Sequence, residues 1–122
     1  MSVVIPVSVG ELFDKITILE IKMHHLSSLK KKAHAMKELE LLNKHAGRFN
    51  LKPGSRNALK STNQALWDAE DKIREKEKYA CFDGEFIELA RSIYRLNDQR
   101  ARIKLDINIA LDSNIVEVKS YV

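Results

Sequence analysis

At 122 residues, with 44% hydrophobic and 31% charged residues, the chain is about one domain long and ordinary in composition for a globular protein. Four glycines and two prolines leave little turn chemistry for a many-stranded fold, and one cysteine, Cys81, excludes an internal disulfide or a cysteine-based zinc cluster. The net charge of +4 is concentrated: residues 30–60 hold nine basic and two acidic side chains, whereas residues 61–85 carry −3.

These features predict one all-α domain over residues 1–122 in a reducing, cytoplasmic setting. No run approaches the roughly 18 apolar residues of a membrane span, so membrane insertion is not expected. The apolar opening SVVIPVSVG lacks the basic flank of a signal peptide.

Residues 2–9 are rich in β-branched side chains and favour an extended strand, with Pro6 tolerable only at an edge. Ser8 then stands three residues before Glu11, the spacing of a reciprocal capping box that opens a helix. Leu12, Ile16, Leu19, Met23 and Leu26 follow at alternating steps of four and three, an apolar seam along one face. Leu29 breaks that rhythm beside Ser27 and Ser28, so a second helix is expected from about residue 29. It runs to Ala46 through Ala33, Met36, Leu39 and Leu42, with Gly47 as its left-handed cap.

After a loop spanning RFNLKPGS, a third helix is expected from about Arg56 to Tyr79, with Leu59, Thr62, Leu66, Ala69, Ile73 and Lys76 on its seam. Asp83 is the predicted N-cap of a fourth, reaching about Leu111 through Phe86, Leu89, Ile93, Leu96, Arg100, Ile103 and Ile107. The alternating tail SNIVEVKSYV is β-prone. An even number of antiparallel helices returns the two ends to the same place. The expected architecture is therefore an antiparallel four-helix bundle or an assembly of coiled-coil-like helical hairpins, with short pairing strands at the termini.

One seam position is out of character. Arg100 occupies a place where the repeat calls for an apolar residue, and a guanidinium keeps its charge when buried. It therefore requires a carboxylate, several acceptors or a bound anion. Asn97 and Lys104 extend the polar strip on its own helix, and Asn63, Gln64 and Trp67 should meet it from the third helix. Asp14, Glu20, Glu70 and Asp71 are the candidate acidic partners. Alternatively, Arg74, Arg91, Asn97, Arg100 and Lys104 line a site between helices for a carboxylate or phosphate.

The blocks VSVGELFDKITILEIK, LWDAEDKIR, FIELARSIYRLNDQRARIKLDIN and VEVKSY resemble a family of small, uncharacterised bacterial helical proteins. The resemblance spans nearly the whole chain and is weakest between residues 29 and 60. It implies a shared fold and supplies no activity or cofactor.

Other constellations are poorer. His24 and His25 are adjacent and point about 100° apart on a helix, which does not suit a shared metal, and no metal or cofactor is expected. The segment KPGS lacks the second glycine of a phosphate loop. Lys30, Lys37 and Lys44, seven apart, form a basic stripe that a solvated helix face explains and that nucleic acid could also use. The functional expectation is a non-catalytic interaction or anion-binding module, with a small anionic ligand or a protein as partner. Alternatives are a mutase-like helical enzyme using Arg74, Arg91, Arg100 and Lys104 on an anionic metabolite, or nucleic-acid binding through residues 30–60. The seam does not separate partners within the chain from those of a second copy, so a homodimer stays open.

Overall fold

The computed structural model describes residues 1–120. Four α-helices account for most of them: α1 (Val9–His25), α2 (Leu29–Ala46), α3 (Pro53–Lys78) and α4 (Gly84–Ala110). The caps are those the side chains dictate. Ser8, Ser28 and Asp83 accept hydrogen bonds from the amides of Glu11, Lys31 and Phe86, each three residues on, satisfying donors that the first helical turn leaves free. α3 starts earlier than expected because Pro53 supplies a pre-set φ at its first position, which takes Gly54 and Ser55 into the helix.

α1 lies against all three other helices, α3 pairs with α4, and α2 approaches α1 alone. The core forms where α1 crosses the others: Val9, Leu12, Phe13 and Ile16 meet Ala46, Leu59 and Ile107. Full burial of a side chain such as Ile16 contributes about 1.5–3 kcal/mol. The buried residues of α3 all lie between Leu59 and Ala69, and those of α4 are Ile107 and Asn108. The rest of this hairpin, whose helices of 26 and 27 residues are about 40 Å long, is a two-helix layer with Ile73, Phe86, Leu89 and Ile93 half-buried.

Three local expectations are corrected. On α2 the inward face is Lys32, Ala35, Leu39, Leu42 and Ala46, whereas Ala33 and Met36 are exposed. Gly47 has φ −58°, right-handed rather than the left-handed cap expected of it. No strand forms among the described residues: the ends do meet, but through side chains, with Ser8 Oγ donating to Glu117 at 2.6 Å and the Val9 amide donating to Ser113 Oγ at 3.1 Å. Tyr121 and Val122, which belong to the predicted terminal strand, lie outside the described residues.

At the hairpin turn Lys76 reaches Asp83 at 2.9 Å and Glu85 at 3.2 Å. Its ammonium, followed by the Phe86 amide, holds the Asp83 carboxyl down at about 2, while the lysine is pushed up. A depressed carboxyl stabilises the turn fully above the ordinary carboxylate value, about 4, and that contribution is lost as pH falls through about 2. A carboxyl-carbon NMR titration should therefore place Asp83 near pH 2; a midpoint near 4 would show the pairing to be absent in solution.

Candidate functional site

The site grows from a buried carboxylate. Asp14 points from α1 into the core side of the molecule, 5% exposed, and Asn63 of α3 is 4% exposed beside it. The Asn63 side-chain nitrogen donates to Asp14 Oδ1 at 2.8 Å and to Thr17 Oγ1 at 3.0 Å. Its carbonyl oxygen then faces α4 and accepts from Arg100 Nη1 at 3.3 Å. The amide dipole is thus aligned between opposite charges, its NH2 end on the carboxylate and its oxygen on the guanidinium. Arg100 Nη2 also donates to Asn97 Oδ1 at 2.8 Å, one turn back on its own helix.

Lys104 closes the other side of this network. It bonds to the Glu11 carboxylate and stands 3.6 Å from Asp14 Oδ2. The capping box is therefore only half made: Ser8 caps the helix, but Glu11 turns from the Ser8 amide to the lysine, a charge-assisted partner of greater strength. Gly10 lets α1 and α4 approach this closely. Its amide donates to Asn108 Oδ1 at 2.6 Å, and a Cβ on Gly10 would lie 2.6 Å from the Lys104 carbonyl oxygen.

Arg100 is half-buried, not fully buried, and its partners are two neutral amides rather than a carboxylate. The physical reason is the intervening Asn63, which occupies the space where a direct contact with Asp14 would form. Two of the five guanidinium N–H donors are used, leaving three without a protein acceptor among the described residues. Arg100 also lines a cleft of about 410 Å³ between α1, α3 and α4. Ile18, Leu66 and Trp67 give the cleft its apolar wall, and Asn63, Asn97, Glu70, Asp71 and Arg74 its polar one. A larger cleft, about 570 Å³, sits at the hairpin turn between Asp71 and Glu85, but the ammonium of Lys76 there is already taken up by Asp83 and Glu85.

The remaining predicted residues divide cleanly. Arg74 reaches the cleft but is 3.4 Å from Glu70. Arg91 is exposed, pairs with Glu88 on its own helix, and does not line the cleft. Glu20 pairs instead with Arg56 and Lys60, and Asp71 lines the cleft edge. Lys30, Lys37 and Lys44 are exposed on α2. The cation cluster of a mutase-like site is thus not assembled: Arg91 stands apart, and Lys104 is engaged by Glu11 and Asp14. Thr17, a polar residue of the first resembling block that lies beside the α1 seam, joins the network by accepting from Asn63. His25, considered above only as a metal ligand, stacks on Trp67 with ring centroids 4.6 Å apart.

Fold and site together define an all-helical protein with a small mixed-charge cleft at a three-helix junction. The chain belongs to the family of unknown function DUF6165, whose model matches residues 1–122. It matches no curated protein and no solved structure.

Proposed function

We propose that this protein is a binding module whose cleft takes a small anion, a carboxylate or phosphate, on Arg100. The observation that carries this reading is the unmatched charge of Arg100. Arg56, Arg74, Arg91 and Lys104 each have a carboxylate within 4 Å, whereas Arg100 has two amide oxygens and an open cleft. A half-desolvated guanidinium with donors to spare favours an acidic group brought from outside. Glu70 and Asp71 on the same wall disfavour a polyanion, so the ligand has one acidic group and hydrogen-bond donors elsewhere. Binding is favoured over catalysis because the cations that would stabilise a dianionic transition state are dispersed or paired.

The test is a thermal-shift and calorimetric screen with inorganic phosphate, small carboxylates and phosphorylated metabolites. A ligand at about 100 times its Kd stabilises by about 2.7 kcal/mol, which raises the melting temperature on the order of 10 °C. Arg100→Met should abolish that shift while costing the unliganded protein about 1–2 kcal/mol, since the bonds it loses end on neutral amides, the buried Asn63 and the half-buried Asn97. A shift that persists in Arg100→Met, or a screen in which no anion binds, defeats the reading.

A further inference from the structure

The outward face of α2 takes no part in the cleft or the core, and its pattern is regular. Lys30, His34, Lys37, Leu41 and Lys44 recur at steps of four and three, all exposed, on the side of the helix opposite Ala35, Leu39, Leu42 and Ala46. Among the described residues Lys30, Lys37 and Lys44 have no carboxylate within ion-pair distance. The two acids of this helix, Glu38 and Glu40, are exposed and flank the row on either side. The face also carries one aliphatic side chain: Leu41, within the lysine row, is 45% exposed, whereas the exposed Leu29 and Met36 stand about 100° or more to one side.

We propose that this face of α2 docks on bilayer surfaces rich in anionic lipid. The charge pattern suits any polyanion, and the aliphatic Leu41 within the row decides between them. A phosphodiester backbone gives Leu41 nothing to contact, and no Phe, Tyr or Trp stands in the row to stack on bases. A lipid headgroup layer accepts both, with ammonium groups at the phosphates and the aliphatic side chain below them. The helix lies along the surface rather than through it, since no helix among the described residues is long and apolar enough to cross a membrane.

Sedimentation of the full chain with vesicles measures this directly. Binding is expected to vesicles of phosphatidylcholine with phosphatidylserine, to be absent on phosphatidylcholine alone, and to fall as salt shortens the screening length. Replacing Lys30, Lys37 and Lys44 together by Ala should weaken it roughly 100-fold, about fivefold per lysine. Leu41→Ser, which leaves the charge unchanged, should weaken it roughly fivefold. These positions are exposed, and circular dichroism should show the helix content of both variants unchanged. Absence of binding to the anionic vesicles overturns the proposal. So does tighter binding to duplex DNA that loses affinity in the triple variant but ignores Leu41→Ser, which would assign the face to nucleic acid.

Discussion

Gly10→Ala is expected to lower the melting temperature by on the order of 10 °C. In an isolated helix the change would be favourable by about 1 kcal/mol, because alanine has the higher helix propensity. Here the new methyl would sit 2.6 Å from the Lys104 carbonyl oxygen, 2.9 Å from Asn108 Oδ1 and 3.1 Å from the Lys104 Cα. Two of those three atoms are backbone, so relief requires α1 and α4 to separate rather than a side chain to rotate. Separation stretches the Gly10–Asn108 bond and the contacts of Lys104 with Glu11 and Asp14. Overpacking of this kind typically costs 1–3 kcal/mol and outweighs the propensity gain when a charged network is strained with it, leaving about 2 kcal/mol net. Gly54→Ala is the matching control: nothing lies within 4 Å of its added methyl, and the variant should be neutral or up to about 1 kcal/mol more stable. Thermal denaturation of the two variants side by side separates a close helix contact from a general effect of glycine, and equal melting temperatures would show that Gly10 does not set the α1–α4 spacing.

Helix ends and long seams were legible because their causes are local. Ser8, Ser28 and Asp83 cap through bonds three residues away, and the α4 seam buries or half-buries Phe86, Leu89, Ile93, Leu96, Ile103 and Ile107 as spaced. α2 was less legible, because it has small or apolar residues on both sides and a lysine stem can cover apolar surface. Ala33 with Met36 competes with Lys32 with Ala35 for the inward register, and contact with α1 alone selects the second. The β-prone tails misled for a different reason: strand propensity reports fit to a sheet, and neither tail has a third strand to join.

The site divides along the same line. That Arg100 breaks the seam, and that Asn63 and Trp67 lie on the facing helix, follows from periodicity. Which group satisfies the guanidinium depends on how far α1 and α3 slide along α4, and a shift of two turns along α3 would put Glu70 in the place of Asn63. The Glu11 carboxylate shows the same dependence. Its local partner was the Ser8 amide, but a lysine 93 residues away forms the stronger bond once α4 is in place.

The Asn63 amide should matter more to stability than the arginine it orients, and Asn63→Leu is expected to cost about 3 kcal/mol. Leucine keeps the number and branching of the side-chain heavy atoms but is bulkier, so the change leaves no cavity while removing every polar contact of the amide. What it removes is the donor to Asp14 and Thr17 and an acceptor of Arg100, all through one side chain that is 4% exposed. Asp14 would keep only Lys104, at 3.6 Å, as a charged neighbour, and the Thr17 hydroxyl would keep only its bond to the Asp14 carbonyl. Breaking a buried charged network by removing one member costs about 3–5 kcal/mol, and the surviving lysine places this case at the lower end. Urea denaturation of Asn63→Leu, Asp14→Leu and the double variant forms a cycle that measures the coupling itself. The double variant removes donor and acceptor together, so it should be roughly 1–3 kcal/mol more stable than the sum of the two single losses implies. Additive losses would mean that Asn63 and Asp14 act independently, and that the Asp14–Asn63–Arg100 chain does not hold α1, α3 and α4 as a unit.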